Sequence, residues 1–327
     1  MSAERTIVLG LDGGGTKTVC VALPLAAGPD EDTIAGPRIL GRGQQGSSNW
    51  NSVGVEAARA HCQEAILEAV AAAGATLADV AAICLGMSGV GRPADRARVQ
   101  EWMAELLPSA CAVIHNDAVI ALASGTGGEL FGVVVISGTG MIAYGVNRQG
   151  CTRRAGGWGA LLGDGGSGYA IGAAILRAVT HAADGRGPQT TLQPALLAHL
   201  GLEQPEELIR WTYDDISWHR IARLAPLALE AAAQGDAVAQ AILDEAAEEL
   251  VAAVLAVARG LGLAEGPEPF PLILAGNLLQ AATGPGHLAA RVRERVGHLL
   301  PQAVVGHPTV EPAVGAAWLA RAALQGS

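Results

Sequence analysis

The stretch GLDGGGTKT, Gly10 to Thr18, sets three consecutive glycines, a hydroxyl and a lysine directly after an acidic residue. A phosphate loop of the G-x-x-x-x-G-K-[ST] type is one residue out of register here, because Gly15 is followed by Thr16 and only then by Lys17. The flanks, TIVLGLD and TVCVAL, are both β-branched and alternating, so the glycines close a hairpin rather than open a helix. Two readings of that turn stand side by side. Gly13, Gly14 and Gly15 tolerate positive φ in an ordinary Gly-rich turn, or their bare backbone N–H groups form a concave nest beside Thr16 and Lys17 that takes a phosphate. FGVVVISGTGMIAYGV repeats the plan of strand, Gly/Thr turn and strand, with Thr139 in the position of Thr16. The separation of about a hundred residues suits one phosphate loop in each of two duplicated domains, unless common Gly-Thr turns coincide here by chance.

Other residues carry chemistry and a plainer alternative together. Asp117 follows Asn116 where a strand meets a helix, a frequent place for a capping acid. Asp164 precedes Gly165 in LGDGGSG, and Asp-Gly favours turns. Trp158 in GGWG is of a type found more often as a core or lid aromatic than as a ligand, and His115 reads as structural.

The frame for these residues is an α/β one. TIVLGLD, TVCVAL and RILGRG read as strands, SVGVEAARAHCQEAILEAVAAAG as an amphipathic helix, and VAAICLGMSG and CAVIHND as short buried strands. Leu25 to Pro37 predicts an exposed hairpin loop. A helix is expected over Ala118–Ser124, and beyond Arg153 the chain turns helical, at Gly166–Ala183, Gln193–Leu200, Pro205–Trp211, Ser217–Ala233 and Asp236–Gly260. A late strand, FPLILAG, runs through a Gly-Asn turn toward a helix over His287–Leu300. The terminal EPAVGAAWLARAAL begins at Pro312 with a small-residue face, Ala313, Gly315 and Ala316, fit for close packing back onto the first domain. Domains are therefore expected at 1–117, joined by the helix 312–327, and at 118–311.

Composition removes several function classes. The 327 residues are 50% hydrophobic, enough for two cores. A formal charge of −10 without any Lys/Arg run argues against a nucleic-acid partner. Five cysteines, at 20, 62, 84, 111 and 151, make no C-x-x-C pair, so neither a disulfide framework nor a zinc site is expected and a reducing cytoplasm fits. The uncharged stretches Leu130–Asn147 and Pro269–Gly286 are broken by Gly, Ser, Thr, Pro or Asn and do not read as membrane spans. Met1 to Thr6 leads into a strand too short and too soon interrupted for a signal peptide.

Five motifs, GLDGGGTKT, NDA at 116–118, ISGTG at 136–140, GGWGALLGDGGSG at 156–168 and LAGN at 274–277, stand in an order and spacing that resembles the N-acetylglucosamine kinase / BadF–BadG family of actin-like ATPases, along almost the whole chain. The resemblance implies two actin-like (ribonuclease H-like) α/β domains flanking an ATP-binding cleft, with ATP and Mg²⁺ as cofactors. It puts Asp12 near Mg²⁺ through water, and Gly13, Gly14, Gly15, Thr16, Thr139 and Gly140 at the phosphates, with Lys17 bordering them. Gly276 and Asn277, joined by Gly235, would face the base or ribose. An acceptor amino sugar would lie against Asn49, Asp117, Gly157, Trp158, Gly159 and Asp164, with Asp117 as general base orienting the hydroxyl in line. The implied activity is phosphorylation of the 6-hydroxyl of N-acetylglucosamine; glucosamine is the alternative, and a muramic acid derivative stays open. A homodimer is the usual assembly of such families. Two departures bear on the sugar: Met141 stands where many members carry Ser, and Gly165 where many carry Glu. The same resemblance admits an iron–sulfur activator of a radical dehydratase, which needs accessible thiolates where this chain has none in a Gly-rich loop. It also admits a non-catalytic ATP-dependent regulator, although no helix-turn-helix extension precedes the first strand.

Overall fold

The computed structural model describes residues 6–26, 37–280 and 287–325, so most of the loop expected at Leu25–Pro37 lies outside the described residues. The chain divides into two compact units, Met1–Leu130 with Pro308–Ser327, and Phe131–His307.

The first unit begins with an antiparallel meander, β1 (Ile7–Gly13), β2 (Lys17–Pro24) and β3 (Gly41–Gly46). β3 lies three residues later than the apolar RILGRG suggests, and its polar GRGQQG is a strand because of what covers it. Helix α2 lies so close that a Cβ at Gly43 would come 2.1 Å from the carbonyl oxygen of Ala65. The helix expected from Ser52 is two, α1 (Trp50–Val53) and α2 (Val55–Ala72), parted at Gly54, whose φ of 83° no other residue adopts cheaply. Then come β4 (Val80–Met87), α3 (Pro93–Leu106), β5 (Cys111–Asn116) and α4 (Asp117–Gly125). β4 and β5 extend the sheet in parallel, giving the order β3-β2-β1-β4-β5. α3 buries only Val99, Trp102 and Met103, too thin an apolar stripe to stand out in the sequence. Ile7, Leu9 and Leu11 of β1 join Ile66, Ile83 and Met103 in one core.

The second unit repeats that plan. β6 (Gly132–Ser137), β7 (Met141–Val146) and β8 (Thr152–Gly156) form the meander. Helices α5 (Gly168–Ala183), α6 (Leu192–Leu200), α7 (Glu207–Asp214), α8 (Trp218–Ala222), α9 (Ala225–Ala233) and α10 (Ala237–Gly260) follow. The single helix expected over 217–233 is two, restarted at Pro226 in the first turn of α9. β9 (Phe270–Ala275) pairs in parallel with β6, and after α11 (Asn277–Gln280) and α12 (Leu288–Leu299) β10 (Ala303–Gly306) pairs in parallel with β9. The order β10-β9-β6-β7-β8 is the first sheet's order read from the other edge: meander first, parallel strands added beside its first member. α10 packs against β6, β7 and β8 over the larger core.

Helix α13 (Pro312–Gln325) belongs to the first unit and packs on β1, β4 and α4. Gly10 is bare where α13 crosses it: a Cβ there would sit 2.0 Å from the Ala313 carbonyl oxygen and 2.3 Å from the Ala317 nitrogen. Because α4 packs on α13, the first unit runs to Leu130, beyond the boundary expected at 117.

Candidate active site

In the first sheet β1, β3, β4 and β5 all run the same way, so their carboxyl ends line one edge. That edge is where ligands meet open α/β sheets. It carries Asp12 and Gly13 from β1, Ser47, Ser48 and Asn49 after β3, Ser88 after β4, and Asp117 after β5. The turn Gly14–Thr16 joins β1 to β2 there, closed by the Gly14 N–H donating to the Lys17 carbonyl at 3.0 Å. Positive φ is not what its glycines provide, since Gly13, Gly14 and Gly15 all lack it. They provide room. A Cβ at Gly13 would lie 2.5 Å from Ser48 Oγ, and one at Gly15 would meet nothing within 4 Å, so the turn's outer backbone is open. Thr16 and Lys17 are exposed beside it.

The loop after β3 braces this turn. The Ser47 hydroxyl donates to the Gly14 carbonyl at 3.1 Å, and the Ser48 N–H donates to the same oxygen at 3.3 Å. Asn49 Oδ1 caps α1 by accepting from the Asn51 N–H at 3.1 Å. On the other side the Ser88 N–H donates to the Gly13 carbonyl at 2.8 Å while its hydroxyl donates to Asp117. Asn116 Oδ1, not Asp117, caps α4, by accepting from the Ala118 N–H at 3.0 Å. The Asp117 carboxyl is thereby left for other work.

Burial raises the Asp117 carboxyl above its ordinary value, against hydrogen bonds from Ser88 and from backbone N–H groups. Burial also raises Asp12, with the nearby charge of Asp117 next in effect, from 3.8 to about 7, while Lys17 pulls it down and Glu311 adds to the rise. His115 is lowered by burial and by Arg96, the behaviour of a structural imidazole.

The second sheet has the same polarity at its own edge, where Ser137, the turn 138–140, Gly157–Gly159 and Gly276 follow strand ends. The N-terminus of α5 is docked on the turn: the Gly168 N–H donates to the Gly138 carbonyl at 2.8 Å and the Tyr169 N–H to the Thr139 carbonyl at 3.2 Å. Ser137 Oγ donates to the Gly166 carbonyl at 2.7 Å. Gly276, at φ 87°, presses on the same strand end. Asn277 is exposed at the start of α11. Asp164 is the one non-glycine residue of positive φ among the described residues, at 60°, and its side chain is buried. Its Oδ1 accepts from the N–H groups of Trp158 and Gly159, at 3.1 and 3.3 Å. Its Oδ2 lies 2.8 Å from where a Cβ at Gly140 would stand, so it faces the Thr139–Gly140 turn. Trp158 is not a core residue, being 64% exposed. Gly235 stands in the α9–α10 turn at φ 91°.

The two departures have physical counterparts. Met141 Sδ fills the space under Gly156, and the Glu249 carboxylate occupies the position a side chain at residue 165 would take, with Oε2 2.6 Å from a Cβ there. Ser47, Ser48, Ser88, Ser137 and Glu249 are absent from the residues singled out by sequence. Ser88 was within reach, because it follows the buried strand ICLGM as Asp117 follows CAVIHN.

A family model, the BadF/BadG/BcrA/BcrD ATPase family, matches residues 9–320. The chain belongs to that family. A Dictyostelium discoideum relative, N-acetyl-D-glucosamine kinase, is 42% identical over 327 residues, covering 97% of this chain and 98% of its own. An N-acetylmuramic acid/N-acetylglucosamine kinase of Clostridium acetobutylicum is 37% identical over 257 residues, 78% of this chain and 80% of its own. A crystal structure from Chromobacterium violaceum, provisionally designated an N-acetylglucosamine kinase, is 27% identical with a TM-score of 0.67, over 96% of this chain and 98% of its own. The repeated five-stranded unit of this BadF/BadG/BcrA/BcrD ATPase is the actin-like α/β plan expected from its motifs. In this member of the family Cys20, Cys62 and Cys84 are buried, with thiols driven upward by burial, Cys62 to about 12, which disfavours thiolate ligation by these three. Among the described residues no helix is long and apolar enough to cross a membrane.

Proposed function

We propose that this protein is an ATP-dependent kinase that phosphorylates the 6-hydroxyl of N-acetylglucosamine. The observation that carries the reading is a raised, Ser88-bonded carboxylate, Asp117, at the same strand edge as the glycine turn, in a chain 42% identical along its length to an N-acetyl-D-glucosamine kinase. Asp117 takes the proton of the acceptor hydroxyl as its oxygen forms a bond to the γ-phosphorus and the bond to ADP breaks. A raised carboxylate is a stronger base than an ordinary one, and positioned general bases contribute about 10²–10⁴-fold. Asn49, through its amide, and Gly157, Trp158, Gly159 and Asp164 hold the sugar. Gly13, Gly14, Gly15, Thr16 and Lys17 of the first unit and Thr139 and Gly140 of the second bind the phosphates, with Gly276, Asn277 and Gly235 toward the nucleoside.

Mg²⁺ fits the donors at the first edge. Asp12 and Asp117 are desolvated carboxylates, and the charge of Asp117 adds to the cost of ionising Asp12, opposed by Lys17 alone of the groups acting on Asp12. A hard cation that keeps most of its waters needs no more than one or two such oxygens, and among the described residues no cluster of three acidic, His or Cys groups stands ready to enclose one. Asp12 would hold the ion through water, and the ion would neutralise phosphate charge.

The test is kcat/KM for N-acetylglucosamine, N-acetylmuramic acid, glucosamine and glucose with Mg-ATP. N-acetylglucosamine is expected first. The Clostridium relative favours a second reading in which N-acetylmuramic acid is also accepted. Glucose equal to or better than every amino sugar overturns the acceptor, and ATP turnover indifferent to sugar overturns the kinase.

A further inference from the structure

Gly156, Gly157 and Gly159 hold φ of 75°, 67° and 93° around Trp158. A segment so rich in glycine has many conformations open to it, and ordering it costs more backbone entropy than ordering any other kind. Something must select one. Asp164 Oδ1 does so from one side through the N–H groups of Trp158 and Gly159. From the other side Arg154 Nη1 donates to the carbonyls of Gly156 and Gly157, at 3.1 Å each, and the guanidinium carbon lies 4.8 Å from the centroid of the Trp158 ring. Among the described residues no carboxylate forms an ion pair with Arg154, and its Nη1 and its charge are directed to this loop. An exposed arginine that satisfies two carbonyls of a glycine loop while facing an exposed indole fixes backbone and ring together.

We propose that Arg154 is the positioning residue of the acceptor loop: it holds the Gly156 and Gly157 carbonyls and the Trp158 ring in the single arrangement that meets the sugar. The inference rests on the kinase reading of that loop. Lysine is a poorer replacement: one nitrogen, Nη1, holds both carbonyls while the planar guanidinium lies over the indole, and an ammonium that bonded the carbonyls would have no plane left to lay on the ring.

The experiment compares Arg154→Ala, Arg154→Lys, Trp158→Ala and the Arg154→Ala/Trp158→Ala double variant in the full chain, with melting curves to identify any variant that fails to fold. KM for N-acetylglucosamine is expected to rise about tenfold in Arg154→Ala, and in Arg154→Lys nearly as much, while KM for ATP stays within about twofold. The double variant should lose less than the two single losses combined, since residues in contact are not additive. A second readout needs no activity: chymotrypsin should nick the exposed Trp158–Leu162 segment faster in Arg154→Ala than in wild type. Unchanged sugar KM in an active enzyme, equal loss for sugar and ATP, full retention in Arg154→Lys, or independent effects in the double variant each overturn the proposal, as does unchanged nicking. If wild type shows no sugar-dependent turnover, the kinase reading fails instead, and nicking alone decides whether Arg154 orders the loop.

Discussion

Asp117 and Asp12 share one strand edge and differ in what their ionisation does. Asp117→Asn keeps the shape and removes the base, so kcat is expected to fall about 10²–10⁴-fold while the Kd for ATP stays near wild type; steady-state kinetics with nucleotide titration checks it. Asp12 has a pH signature in stability, measured without nucleotide or Mg²⁺. Its pKa is raised on folding, from 3.8 to about 7, so between those values the folded state holds a proton that the unfolded state has lost. Stability then falls as pH climbs through that window, and the full cost is present above about 7. Asp12→Asn should therefore raise the melting temperature, by an amount that grows from about pH 4 to about pH 7 and is constant above it. Equal gains at pH 4 and pH 8 would show that charge is not the cause. Such a gain in an inactive variant is the usual trade between stability and function. At this scale the sequence marks chemistry that stands in motifs, such as Asp12 and Asp117, and not chemistry carried by single common residues. Ser88 stands at a strand end as Asp117 does, but Arg154 and Glu249 become visible only when the fold brings them to Trp158 and Gly165.

The elements that hold these residues differ in how plainly the sequence announces them. The buried strands β1, β4, β6 and β9 are apolar runs, and α5 and α10 carry Ser167 and Asp236 as side-chain caps, so all six are legible. β3 and β8 are polar edge strands defined by their neighbours in the sheet, and α3 has three buried residues, so local pattern is weak for all three. The breaks at Gly54 and Pro226 lie inside helical periodicity, where the apolar spacing continues across the interruption. One close approach between elements gives a prediction. Gly276 ends β9 against β6, and a Cβ there would lie 2.2 Å from the Ser137 carbonyl oxygen with φ at 87°. Gly276→Ala combines a backbone clash with left-handed strain, which together cost on the order of 2 kcal/mol or more. Thermal denaturation should show the loss, and nucleotide affinity should fall with it because Asn277 is carried on the same turn. A variant that melts like wild type would mean that the β6–β9 strand ends can part without cost.

Taken whole, the molecule uses one topology twice, a meander with two parallel strands beside its first member, and Thr16 and Thr139 sit in the corresponding turns of the two copies. That echo is readable as a repeated strand-turn-strand pattern, but a repeat in sequence does not reveal which copy the final helix completes. α13 belongs to the first unit although all of the second unit precedes it in the chain, and it covers Gly10 on the very first strand. The consequence concerns the order of events during synthesis. At about 5–20 residues per second, the ribosome makes the entire Phe131–His307 unit, with its own core, before the helix that closes over β1 exists. For on the order of ten seconds or more, the nascent chain therefore holds one unit that can finish folding and an earlier one that cannot, its bare strand waiting for its cover. In such a chain the unit started second is the first able to close.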